Sequence, residues 1–242
     1  MNSSHSNSRD EAEPGTVYLV PTPIGNLGDL TERARIVLEV ADLVACEDTR
    51  HSGQLLKHLG LKKKLVSYHE HNETTRAQTI VQAVTGGQSV AVITDAGSPG
   101  ISDPAYRVVR AAIEAGLPIV PLPGPTALIP ALTASGLPTD RFFYEGFLPN
   151  KSGARQTRLR QLASWEHTLI FYESPHRLAK SLSDMSDVLG DRQCCVAREI
   201  SKLHEQFIRG TLQSVLECIG KGKIRGEIVI VVAGESKKSK SR

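Results

Sequence analysis

The stretch 89-SVAVITDAGSPGISDPAYRVVRAAIEAG-116 decides the fold. SVAVITD is an apolar run closed by Asp95, and it reads as a strand of a buried sheet. A loop rich in glycine and proline follows, in which Gly97, Ser98, Pro99 and Gly100 form a tight exposed turn. Ser102, with Pro104 close behind, reads as the cap of a helix that carries proline in its first turn. That helix, AYRVVRAAIEAG, runs to Gly116. Strand, long loop and helix make a βα unit, and open parallel sheets bind ligands on such loops, outside the carboxyl ends of the strands.

The same alternation extends to both sides. Toward the N-terminus, TVYLVP (16–21), LVACE (43–47) and KLVSYHE (64–70) read as strands. Helices follow them at TERARIVLEVAD, with Thr31 as N-cap, at HSGQLLKHLG (51–60), stopped by Gly60, and at TTRAQTIVQAVTGG (74–87). Toward the C-terminus, PIVPLP (118–123) is a fifth strand and 126–135 a helix. Five such units predict a parallel five-stranded sheet covered by helices over residues 16–138. Residues 139–150 read as a linker. A smaller α/β domain with a mixed sheet is expected over 151–235: a basic helix (151–166), a strand (168–174), a helix (175–190), a hairpin (194–200 and 205–212), a short helix (214–220) and the strand in EIVIVVAGE.

Composition fits a soluble globular protein, with 40% hydrophobic and 23% charged residues. No apolar run is long enough to span a membrane. Residues 1–15 read as a polar, disordered leader with no secretory core, and 236–242 as a basic tail. Cys46, Cys194, Cys195 and Cys218 form no C-x-x-C pair and read as buried reduced thiols, which favours the cytoplasm. Charge is divided: residues 1–150 hold 12 Lys+Arg against 16 Asp+Glu, and residues 151–242 hold 17 against 10. The second half can therefore face a polyanion, although the tail supplies part of its excess.

Three loops on the ligand side are unusual. PTPIGNLGDL (21–30) combines stiff prolines with Gly25 and Gly28, yet matches neither the dinucleotide fingerprint nor the P-loop. TDAGSPGISDP (94–104) is longer and richer in glycine than a connection needs, and its backbone N–H groups suit a small polar ligand. PLPGPTAL (121–128) is a rigid platform leading into a helix. Two polar clusters end neighbouring strands: Glu47, Asp48, Arg50 and His51, then His69, Glu70, His71 and Glu73. No zinc spacing is present and no metal is expected. General acid–base or substrate-orienting work suits these groups, because His and carboxylates span the useful pKa range.

Five segments together, VPTPIGNLGDLTERA, ACEDTRHSGQLL, SYHEHNE, ITDAGSPGISDPAYRVV and PLPGPTALIPALTASGLPTDRFFYEGFLP, resemble the ribosomal RNA small subunit methyltransferase I family, within the tetrapyrrole-methylase-like superfamily. YESPHRL, AREISKLHE and RGEIVIVV carry the resemblance through the second half. It implies a two-domain fold with S-adenosylmethionine held between the domains, 2'-O-methylation of a cytidine in the decoding region of 16S ribosomal RNA, and a homodimer. By position it implies cofactor contacts at Pro23, Ala96, Gly97, Ser98, Ile101, Ser102, Thr126, Ala127, Tyr172, Glu173, Arg198, Gly226, Glu227 and Ile228. Where related tetrapyrrole enzymes carry an acidic residue, this chain has Ser98. A ribose hydroxyl is a weak nucleophile and needs a base; Asp48, His69, Glu70 and Asp95 are the candidates. Arg50 suits a phosphate, and Lys151, Arg155, Arg158 and Arg160 suit the RNA backbone. The competing readings are a methyltransferase of the same superfamily acting on a tetrapyrrole or a protein side chain, and a non-catalytic S-adenosylmethionine-binding or ribosome-binding module.

Overall fold

The computed structural model describes residues 12–220 and 224–236. Most of the expected leader and nearly all of the basic tail lie outside the described residues. The chain divides after Thr126 into two compact units.

The first unit holds five parallel strands, β1 (Val17–Leu19), β2 (Leu43–Cys46), β3 (Leu65–Ser67), β4 (Val90–Val92) and β5 (Ile119–Pro121), in the order β3-β2-β4-β1-β5. Its helices are α1 (Glu32–Val40), α2 (Thr49–His58), α3 (Glu73–Thr85) and α4 (Tyr106–Glu114). Alternation along the strands explains how both faces are covered. Val44, Cys46, Ala91 and Ile93 pack with Ala34, Val37, Leu38 and Leu56 of α1 and α2. Their neighbours Ala45, Val90 and Val92 point the other way, onto Ala77, Ile80, Val108 and Ala112 of α3 and α4. A sheet dry on both faces needs continuous apolar runs, which is how β2 and β4 read. Each fully buried Val, Leu or Ile contributes roughly 1.5–3 kcal/mol.

Local signals set most of the helix ends. Thr31 accepts a hydrogen bond from the Ala34 amide at 3.1 Å and starts α1. Two expectations are corrected. α2 begins at Thr49, not at His51, because the Asp48 carboxylate accepts from the Arg50 amide at 2.8 Å and caps it. Ser102 does not cap α4: it has a φ of 61°, and the helix starts at Tyr106 with Ala105 at the N-cap. Pro104 is the reason, since the residue before a proline is held out of the helical region.

The second unit comprises α5 (Leu128–Thr133), β6 (Phe142–Phe147), α6 (Ser152–Leu162), β7 (Thr168–Glu173), α7 (Leu178–Leu189), β8 (Gln193–Arg198), β9 (Gln206–Thr211), α8 (Leu212–Gly220) and β10 (Ile228–Val232). The sheet order is β6-β7-β10-β8-β9, with β6 and β7 parallel and the remaining pairs antiparallel. The mixed sheet and the β8–β9 hairpin match expectation. Residues 140–149 do not form a mere connection: FFYEGF is an edge strand, and its aromatic side chains suit a pleated, half-buried surface. α5 groups with this unit and packs against β10. Leu159, Leu162, Leu178, Leu182, Met185 and Leu212 from α6, α7 and α8 cover one face of the sheet, on Leu169, Phe171, Val196 and Ile230. Cys46, Cys194 and Cys195 are buried thiols, whereas Cys218 is exposed.

Candidate functional site

The order of the first sheet brings the unusual loops together. After β1 and β2 the chain turns toward one edge of the sheet; after β4, which lies between them, it turns toward the other. Such a switch opens a crevice at the carboxyl ends of the strands. There the β1 and β4 loops bond to each other: the Thr22 amide donates to the Gly97 carbonyl and the Gly97 amide to the Thr22 carbonyl, both at 2.9 Å. The Thr22 hydroxyl donates to the Thr94 carbonyl at 2.9 Å, and the Thr94 hydroxyl to the Gly97 carbonyl at 3.2 Å. Gly97 and Gly100 have φ values of 88° and 86°, which other residues seldom adopt. The Ser98 hydroxyl donates to the Pro125 carbonyl at 2.9 Å and ties in the third loop. Gly124 lies against Pro21 so closely that a Cβ would stand 2.7 Å from the proline Cβ. Pro23, Ala96, Ile101 and Ser102 ride on this braced set of loops, with Thr126 at its end.

The carboxylates and histidines lie at the ends of β2, β3 and β4. Asp48 is a fixed group: Arg50 donates to it through Nε at 3.2 Å and through a terminal nitrogen at 2.8 Å. The side-chain and backbone bonds from Arg50 hold its carboxyl well below the usual carboxylate range. A carboxylate held so firmly ionised is a poor proton acceptor near neutral pH. Asp95 accepts from the Asp48 amide at 3.3 Å, which joins β4 to β2. His69 is oriented by Asn72, whose side-chain nitrogen lies 3.0 Å from its Nε2 and whose oxygen accepts from the His69 amide at 2.9 Å. His71 stacks edge-on with it, ring centroids 5.9 Å apart. Glu70 is exposed. Glu47, in the same cluster but outside the four candidates, has the environment a base needs. Burial raises its pKa, as do the charges of Asp95, Glu70 and Asp48, against an opposing effect of His69. The sequence signal for it was only its place at the end of a buried strand. Among the described residues no three His, Cys, Asp or Glu side chains are grouped to hold a metal.

In the second unit the expected residues part ways. Tyr172 packs edge-on against Tyr144 and Phe147, at 5.1 and 5.8 Å. Glu173 is buried, and its carboxylate accepts from the Ser174 amide and the Ser181 hydroxyl and pairs with Arg177. It anchors the turn into α7, so its side chain is already engaged. Arg198 donates to the Arg225 carbonyl at 3.1 Å and to Gln206. Gly226, at a φ of 93°, leaves no room for a Cβ beside the Glu199 carboxylate, which also accepts from the Glu227 amide. Ile228 begins β10, and Ala127 precedes α5 at its N-cap.

The basic helix needs correction. Arg155 is buried, and it pairs with Asp184 at 2.5 Å while donating to the Pro149 and Asn150 carbonyls. Arg158 makes two 2.6 Å bonds to Glu145. Arg155 braces the fold and is withdrawn from an RNA backbone, whereas Arg158 keeps 35% of its side chain exposed beside Glu145. Lys151 and Arg160 remain exposed. Periodicity alone could not separate these roles, because Asp184 and Glu145 come from other elements.

Residues 16–216 match the family model of Tetrapyrrole (Corrin/Porphyrin) Methylases. The chain is 50% identical over 221 residues to the Ribosomal RNA small subunit methyltransferase I of Synechocystis sp., covering 91% of this chain and 79% of that protein. It is 48% identical over 223 residues to the protein of the same name from Escherichia coli O157:H7, covering 91% and 78%. The chain belongs to the ribosomal RNA small subunit methyltransferase I family. Members of this family are enzymes, and so is this methyltransferase. Among solved structures the methyltransferase CobJ superposes with a TM-score of 0.68 at 20% identity, covering 93% of this chain and 96% of that one. A uroporphyrin-III C-methyl transferase from Thermus thermophilus, complexed with S-adenyl homocysteine, gives 0.64 at 22% identity, covering 90% and 97%. Those two share the fold. In this family member no helix among the described residues is long and apolar enough to cross a membrane.

Proposed function

We propose that this methyltransferase moves the methyl group of S-adenosylmethionine to a ribose 2'-hydroxyl of a cytidine in the decoding region of 16S ribosomal RNA, in the cytoplasm and as a homodimer. What carries the reading is the 50% identity over 91% of the chain to a protein named for small-subunit ribosomal RNA methylation. The first unit fits such a cofactor on physical grounds. Its switch-point loops are cross-bonded through Thr22, Gly97, Ser98 and Pro125, and they offer half-buried backbone with little side-chain bulk. Pro23, Ala96, Gly97, Ser98, Ile101, Ser102 and Thr126 are the residues of that unit that would hold it.

When bound, S-adenosylmethionine supplies a methyl group already activated by its sulfonium. The chain contributes alignment and proton removal. Rigid loops fix the geometry of approach, for which well-aligned systems gain up to roughly 7–11 kcal/mol. Glu47 accepts the hydroxyl proton: its raised pKa lies nearer the working pH than that of Asp48. His69, held by Asn72, and Asp95, held against the Asp48 amide, set the charge around it. Arg50, bonded to Asp48 and with 88% of its side chain exposed, is the cation of this cluster that would meet a phosphate.

The test uses the purified chain, labelled S-adenosylmethionine, and small ribosomal subunits that lack the modification. Label should enter the RNA, and alkaline hydrolysis should leave one resistant cytidine, because a 2'-O-methyl blocks cleavage at its own position. Label in a tetrapyrrole and none in RNA would replace this reading with the broader superfamily's chemistry. Cofactor binding with no acceptor at all would leave a binding module. Sedimentation of the free protein decides the dimer.

A further inference from the structure

The edge strand β6 turns three aromatic side chains to one face by means of a bulge. Phe142 pairs with Thr168 and Tyr144 with Ile170; the register then slips, so that Gly146 faces Phe171 and Phe147 faces Tyr172. Simple alternation would send Phe147 to the helix-covered face with Phe143. The extra residue, Glu145, brings Phe147 back beside Tyr144, as bulges do when they re-aim a side chain. Arg158 clamps that residue with its two 2.6 Å bonds, so the bulge is held from α6. The result runs against burial: Phe142 is 42% exposed and Phe147 55% exposed. Tyr172 meets both Tyr144 and Phe147 edge-on and fixes the outer ring of the strip.

Unopposed cations bracket this strip. Arg141 immediately precedes it and Lys151 follows four residues after Phe147; both are exposed, and neither has an ion-pair partner among the described residues. Lys151 stands at the N-cap of α6, whose first turn holds no acidic residue. A cation at the positive end of a helix dipole is unfavourable for the isolated fold, and an external anion beside it relieves the repulsion. Exposed aromatic rings between unpaired cations are what a single strand of nucleic acid requires, with ring faces for bases and positive charge for phosphates.

We propose that the β6 strip, Phe142, Tyr144 and Phe147 backed by Tyr172 and flanked by Arg141 and Lys151, is a stacking platform for unpaired bases of the RNA substrate. This rests on the function proposed above. The test measures binding of the full-length protein to an unmethylated, fluorescently labelled 16S fragment that contains the single-stranded decoding segment. Phe147→Ala should weaken binding by about tenfold, while Phe147→Trp, which keeps a ring, stays near wild type. S-adenosylmethionine affinity and sedimenting mass should be unchanged in both. RNA affinity unaltered in both Phe147→Ala and Phe142→Ala overturns the platform. Loss of affinity accompanied by a smaller sedimenting mass overturns it in favour of an interface between copies of this chain. Loss of cofactor binding in Phe147→Ala overturns it in favour of a cofactor contact. If wild type methylates unmodified small subunits and neither Phe147→Ala nor Phe142→Ala weakens RNA binding, only the platform fails; if wild type neither binds the fragment nor methylates small subunits, the functional reading fails and the platform with it.

Discussion

Replacing Arg155 with methionine separates a structural cation from an RNA contact. Arg155 is 3% exposed and Asp184 6%. The Asp184 carboxylate accepts from Arg155 at 2.6 and 2.5 Å, from Gln156 at 2.8 Å and from the Ser152 hydroxyl at 2.9 Å. Removing one partner of a buried pair leaves an uncompensated charge and costs about 3–5 kcal/mol. Gln156 and Ser152 still solvate the carboxylate, so the lower end, about 3 kcal/mol, is expected. With a urea slope of about 2 kcal/mol per molar, the midpoint should fall by about 1.5 M. Trp165, the single tryptophan, lies 5.1 Å from Phe143 in the second unit and reports that unit's transition by fluorescence. The pH dependence has a definite sign. Burial pushes Asp184 up, but the bonds from Gln156, Ser152 and Arg155 bring it below the ordinary carboxylate value. Its stabilisation is therefore complete above the unfolded pKa of about 4 and is lost as pH falls through the lower folded value. The deficit of Arg155→Met should be full at pH 7 and shrink in acid. Arg155→Met/Asp184→Leu should recover most of the loss, because an apolar pair can replace a buried ion pair at little cost. A midpoint within about 0.3 M of wild type, which at the same slope is well under 1 kcal/mol, together with weakened RNA binding, would refute the structural assignment.

Two further outcomes test the first unit. Glu47→Gln should lower methyl transfer by about 100-fold or more and raise the melting temperature at pH 7.5 but not in acid. The wild-type carboxyl has its folded pKa raised, so the stability it adds is present below the unfolded value and lost as pH rises through the folded one; equal melting shifts at both pH values would refute this. Gly124→Ala should cost about 1–3 kcal/mol by overpacking, because the new methyl would lie 2.7 and 2.9 Å from two carbons of the rigid Pro21 ring. Isothermal titration should then show weaker S-adenosylmethionine binding, and unchanged stability with unchanged binding would disprove the close packing.

Much of this protein was legible in its sequence, because the signals there are local. Apolar runs closed by loops fix β2 and β4, Thr31 announces α1 by capping it, and the loops at 21–30, 94–104 and 121–128 stand out by composition alone. The motifs in those loops also carried the family. What remained undecided depends on partners distant in the chain. β6 looked like a linker because a short aromatic run becomes a strand only when β7 supplies the hydrogen bonds beside it. The cations of α6 looked alike until Asp184 and Glu145, 29 and 13 residues away, claimed Arg155 and Arg158. Ser102 read as a cap by residue type, and backbone conformation ahead of Pro104 overruled it. Of the adjacent carboxylates Glu47 and Asp48, the sequence pointed only to Asp48 as a candidate base. The fold surrounds one with like charge in a half-buried place and pins the other to Arg50, and this environment, set by three neighbouring strands, fixes their opposite pKa shifts.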